Sequence, residues 1–121
     1  MRTLRVHLSE SNMQKAQQFK DKLQDSWLAL FNSNITTSDI LRALLMLGLE
    51  LMDDAHVSIE SVKKQPHTTM INAPLWIHDS IEIKAHLKEI SKTKVAREAI
   101  HRACMHCDTP KDLLRALIDN L

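Results

Sequence analysis

Along the first eight residues apolar and polar side chains alternate: Leu4, Val6 and Leu8 against Thr3, Arg5 and His7. Period two is the pattern of a strand with one buried and one open face. From Glu10 the period changes. Met13, Ala16, Leu23 and Trp27, with Phe19 and Leu30 beside them, recur at helical spacing, and Ser9 stands in front as an N-cap. Lys15, Lys20, Asp21, Lys22 and Asp25 form the solvated face of that helix. Asn32, Ser33 and Asn34 predict a turn. Thr36, followed three residues on by Asp39, predicts a capping box with Asp in place of Glu. The helix it starts runs to Met52 and is apolar nearly all round, so it is buried on more than one side. In a short chain, such burial points to a partner subunit.

The second half is less regular. Lys63, Lys64, Pro66, His67, Thr68, Thr69, Asn72 and Pro74 make residues 61–74 the best linker. Leu75-Trp76-Ile77 reads as a short extended run. Asp79 or Ser80 then caps a helix through about Ile90, with Ile83, Leu87 and Ile90 on one stripe. Ser91-Lys92-Thr93 breaks it, and a further helix covers about Val95 to Met105. Thr109-Pro110 starts the last helix, Thr as N-cap and Pro at the first position, with Leu113, Leu114, Leu117 and Leu121 as its apolar stripe. The expectation is a mainly α protein. Residues 1–60 form an N-terminal domain, 61–74 a linker and 75–121 a small helical domain.

Composition narrows the chemistry. The chain has 121 residues, 44% of them hydrophobic, which is enough for one core. The single glycine, Gly48, argues against all-β folds and excludes Gly-rich phosphate loops. No Ser/His/Asp or Cys/His arrangement for catalysis is recognisable, so no enzyme and no cofactor is expected. Cys104 and Cys107 form one C-x-x-C, with His101 and His106 near it. Consecutive ligands on one straight helix rarely close a tetrahedron, so these read as buried reduced thiols and no metal is expected. Trp27 and Trp76 read as core anchors. No signal-like segment and no run of about 18 apolar residues occurs, so a cytoplasmic protein without a membrane span is expected.

A lone strand before two helices cannot stand unpaired without exposing its backbone. A twofold-related copy would supply an antiparallel partner. At this point the chain resembles the ribbon-helix-helix DNA-binding proteins of the Arc and MetJ type. The resemblance rests on Thr3-Leu4-Arg5-Val6-His7-Leu8-Ser9 and on Thr37-Ser38-Asp39-Ile40-Leu41-Arg42-Ala43-Leu44, and covers about residues 2–52. It implies a homodimer whose two-stranded ribbon enters the major groove of double-stranded DNA. It assigns base reading to Thr3, Arg5 and His7. It assigns phosphate binding to the second helix's start at Thr36, Thr37 and Ser38, with Arg2 adding charge. Arg can bond guanine twice, and a helix N-terminus suits an anion. The turn departs from the family in using Asn32 and Asn34 where glycine is common, a role Asn can fill.

The net charge of +1 does not itself advertise nucleic acid, but charge placed near phosphate matters more than the sum. Residues 84–102 are locally basic through Lys84, Lys88, Lys92, Lys94, Arg97 and Arg102. They read as a solvated helical face, with Lys92, Lys94 and Arg97 as secondary DNA contacts in the alternative. Some plasmid-transfer proteins of the family carry two units in one chain. Residues 75–100 loosely repeat the order of the first half, although their spacing is shorter. A small helical domain for dimer–dimer contacts or for a partner is the preferred reading of that half. The functional expectation is a dimeric transcriptional regulator. The alternatives are an accessory protein at a plasmid transfer origin, an antitoxin, and a helical adaptor without a nucleic-acid role.

Overall fold

The computed structural model describes residues 2–52, 67–106 and 110–119. The strand β1 spans Arg2–Leu8 and is followed by the helices α1, Glu10–Phe31, and α2, Thr37–Leu51. A second strand, β2, spans His67–Ala73 and is followed by α3, Leu75–Lys88, and α4, Lys92–His106. The last helix, α5, is Pro110–Asp119. Strand–helix–helix therefore occurs twice, with one helix added.

The local signals explain the first half. The Ser9 side chain accepts from the Asn12 amide at 3.1 Å and starts α1. Asn32 ends it in the left-handed region at φ 51°, its N–H bonded to the Leu28 carbonyl. A short polar side chain lowers the cost of that conformation. Thr36 and Asp39 form the reciprocal box at the start of α2: the Thr36 hydroxyl accepts from the Asp39 amide (3.1 Å) and Asp39 accepts from the Thr36 amide (3.0 Å). Of the expected stripe on α1, Ala16, Phe19, Leu23 and Trp27 are buried, whereas Leu30 is exposed.

The second half departs from expectation in three places. Residues 67–73, expected in a linker, are the strand β2. It pairs antiparallel with β1 over its whole length, from Arg2 opposite Ala73 to Leu8 opposite His67. The pairing expected across a dimer is thus made within the chain. Leu75-Trp76-Ile77, expected to be extended, is the first turn of α3, which Pro74 precedes as N-cap at φ −64°. The buried stripe of α3 is Ile77, Ile81 and Ala85; Ile83 and Leu87 face solvent. The strand before it sets that phase. Ile71 and Ala73 point into the core, and Ile77 continues their side.

One buried cluster joins both halves, from Val6 and Leu8 through Leu41, Leu44 and Leu45 to Ile71, Ile77, Val95 and Ile100. Among the described residues, both halves of the chain contribute to this one cluster. The apolar helix α2 is covered from inside the chain, chiefly by α4 and also by α5 and α1. The partner subunit inferred from its all-round apolarity is not needed to bury it. Gly48 marks the closest approach: a Cβ there would lie 1.7 Å from the Ala99 carbonyl oxygen, so only glycine lets α2 and α4 touch backbone to backbone.

Candidate nucleic-acid interface

Pairing two strands gives the sheet one buried and one open face. Val6, Leu8, Ile71 and Ala73 are buried, and Leu4 and Thr69 are half-buried on the same side. The opposite side carries Thr3, Arg5 and His7 from β1 and Thr68, Met70 and Asn72 from β2. These six stand in three opposed pairs: Thr3 with Asn72, Arg5 with Met70, and His7 with Thr68. The Thr3 hydroxyl donates to Asn72 Oδ1 at 3.4 Å, and the Thr68 hydroxyl and His7 Nδ1 are hydrogen-bonded at 3.0 Å. Arg5 at the centre is exposed, and so is Met70 opposite it, at 52%.

Two helices pack against this ribbon, α2 on β2 and α4 on β1. Arg42, in the second turn of α2, donates from Nη1 to the Asn72 carbonyl oxygen at 3.3 Å and from Nη2 to Asp39 Oδ1 at 2.8 Å. The same Asp39 caps Thr36, so a single chain of bonds runs from the cap of α2 to the outer residue of β2. Thr36 is exposed, while Thr37 and Ser38 are half-buried. The Thr37 hydroxyl accepts from Gln17 on α1 at 3.4 Å. At the start of α4, the Ser91 side chain accepts from the Lys94 amide at 3.3 Å, the counterpart of Thr36 capping Asp39. Lys92, Lys94 and Arg97 occupy the first two turns that follow.

Arg2, Thr3, Arg5 and His7 thus lie on the ribbon, and Thr36, Thr37, Ser38, Lys92, Lys94 and Arg97 on the two helix starts. Arg2 is exposed at the end of β1, and its carbonyl accepts from His78 Nε2 on α3 at 3.1 Å. The basic segment 84–102 is not one patch. Arg102 pairs with Glu98 at 3.1 Å, both largely buried, and Lys92 lies 3.8 Å from Glu82. Thr68, Met70 and Asn72 were missed in the sequence. Their alternation with Thr69, Ile71 and Ala73 was the signal, masked by flanking prolines and by the small residues Thr69 and Ala73 on the inner face.

Other candidate groups lie elsewhere. Trp27 is a core residue in tilted contact with Phe31, with ring centroids 4.4 Å apart. Trp76 is not a core residue: it is 48% exposed and lines a cavity of about 460 Å³ with Met46, Leu47 and residues of α4 and α5. Cys104 is buried in α4, and Cys107 lies outside the described residues. The His101 ring is engaged by Asn12, whose buried side-chain amide donates to Nδ1 at 3.2 Å. Among the described residues, no three His, Cys, Asp or Glu side chains gather as a metal site. No described helix is long and apolar enough to cross a membrane. No protein-family model, curated protein or solved structure matches the chain.

Proposed function

We propose that the chain is a sequence-specific double-stranded DNA-binding protein of ribbon-helix-helix architecture, in which one chain supplies both strand–helix–helix units. The β1–β2 ribbon enters the major groove, whose width admits a two-stranded ribbon. Thr3, Arg5 and His7, joined by Thr68, Met70 and Asn72, meet base edges. The starts of α2 and α4 receive phosphates on either side, with Lys92 and Lys94 adding charge at the second.

The observation that carries this reading is the outer face of the ribbon. Six side chains stand there in register, five of them able to donate or accept hydrogen bonds, with a cation at the centre. A sheet face kept polar and left uncovered by the five described helices is suited to contact outside the chain. A second copy is not required to complete the ribbon. Homodimers, or larger assemblies, would place several ribbons along one duplex.

Regulation of transcription by site occupancy is the first role. A role at a plasmid transfer origin is the second, favoured by the occurrence of two units in one chain, as in some transfer proteins of the resembled family. A helical adaptor has no use for the ribbon face. Fluorescence anisotropy with a mixed duplex pool at several salt concentrations separates it from both. Affinity that falls as salt rises, with a log–log slope of about −0.9 per phosphate contact, is the expected result. No binding at low salt would leave the adaptor.

A further inference from the structure

The two strands of the ribbon do not present the same outward side chains. Arg5 lies opposite Met70 at the middle of the paired segment, with Thr3 opposite Asn72 and His7 opposite Thr68. The half-turn that exchanges the strands therefore replaces Thr3 by Thr68, Arg5 by Met70 and His7 by Asn72. The first replacement changes nothing. Even the bonding matches, since each Thr hydroxyl is hydrogen-bonded to the side chain facing it. The whole asymmetry of the outer face thus resides in two exchanges, Arg5 for Met70 and His7 for Asn72.

Those exchanges differ in chemistry. Arg5 offers a fork of donors that matches the two acceptors on a guanine edge, O6 and N7. Met70 offers no hydrogen bond and a polarisable apolar surface, which matches a thymine methyl group. Asn72 offers a donor and an acceptor together, the pattern that matches N7 and N6 of adenine. Its Oδ1 accepts from Thr3 and retains a second lone pair. His7, whose Nδ1 is bonded to Thr68, keeps Nε2 for a base edge.

Resting on the ribbon reading above, we infer that this protein reads a non-palindromic duplex site in one orientation. Arg5 specifies guanine on one side of the centre, and Met70 and Asn72 specify a thymine and adenine half on the other. The flanking helix starts reinforce the polarity. The first three residues of α2 carry one acid, Asp39, whereas those of α4 carry two bases, Lys92 and Lys94, so the two phosphate seats differ by three units of charge. Binding gives the complex a direction along the duplex, which a ribbon of two identical strands lacks.

The test is selection of duplexes from a randomised pool, with the wild-type chain beside a Met70→Arg, Asn72→His double variant. Both positions are exposed, and the Arg42 bond is to the Asn72 backbone, so the variant keeps the fold; thermal denaturation checks this. In the variant both strands present Thr, Arg and His. The wild type is expected to enrich a site without dyad symmetry. The variant is expected to enrich an inverted repeat of the Arg5 half, preferring it to the wild-type site by roughly five- to a hundredfold. Met70→Ala is a second variant, expected to lose the thymine preference alone. Dyad symmetry centred within the footprint of a single ribbon in the site enriched by the wild type, or an unchanged motif in the double variant, would overturn the inference and leave the DNA reading in place. Absence of any salt-sensitive enrichment by either protein would overturn the DNA reading itself.

Discussion

The Arg42 guanidinium on α2 donates to the backbone carbonyl of Asn72 on β2, 30 positions away in sequence, while its other nitrogen is held by Asp39. This couples the cap of a helix to the outer edge of the ribbon. A carbonyl near a sheet end is satisfied, and the guanidinium is held by both of its terminal nitrogens. Arg42→Ala should cost about 1–2 kcal/mol in chemical denaturation, since it removes a charge-assisted bond at both ends. Arg42→Lys should recover part of that loss only, because a point charge cannot make both bonds.

The close approach of α2 and α4 sets a second expectation. Gly48→Ala would drive its Cβ into the Ala99 carbonyl, which is backbone and cannot swing aside. The helices must separate, and with them the two halves of the core. A loss of about 3 kcal/mol in urea denaturation is expected. A neutral Gly48→Ala variant would mean that α2 and α4 are further apart than described.

The two αL caps respond differently to glycine. Asn32 at φ 51° tolerates the left-handed region through its short side chain, so Asn32→Gly should be near neutral. Glu89, at φ 56°, has no such relief. A non-glycine residue there costs about 1–2 kcal/mol, and the gain from glycine is offset by about 0.4–1 kcal/mol because it gives the unfolded chain more freedom. Glu89→Gly should therefore raise stability by roughly 0.5 kcal/mol, readable as a small rise in Tm.

An ion pair between Glu10 and His67 joins the start of α1 to the start of β2. The His67 hydrogen bond, then the attraction of its charge, holds the Glu10 carboxyl below its ordinary value. The folded state thus favours the ionised carboxylate. Its contribution to stability is complete above the unfolded-state value near 4.5 and is lost as pH falls through the lower folded-state value. Denaturation midpoints of wild type and Glu10→Gln should differ just above that unfolded-state value, while His67 carries its proton, and converge in stronger acid. Glu10 is exposed, so the difference should be small and reduced by salt.

What was legible in the sequence, and what was not, follows from where the information sits. Ser9, Thr36 with Asp39, and Asn32 are local signals, and each acts where expected. The alternation of residues 3–8 was legible because Leu4, Val6 and Leu8 are large. In β2 the inner positions are Thr69, Ile71 and Ala73, and the Pro before and after the strand imitate a loop. Its partner residues lie 59 to 71 positions away, a contact that no local pattern records. Once β2 is misread, α3 is misphased, and Ile83 and Leu87 look like core. The outward triplet of β1 was found for the same reason that its strand was, and the triplet of β2 was lost with its strand.

The central claim is that the ribbon face reads base edges. The most direct test is fluorescence anisotropy of a selected duplex and of an unrelated one, with wild type beside Arg5→Ala. Arg5→Ala should weaken binding to the selected duplex by about 1–3 kcal/mol and leave binding to the unrelated duplex nearly unchanged. Equal affinity of wild type and Arg5→Ala for the selected duplex would contradict the claim.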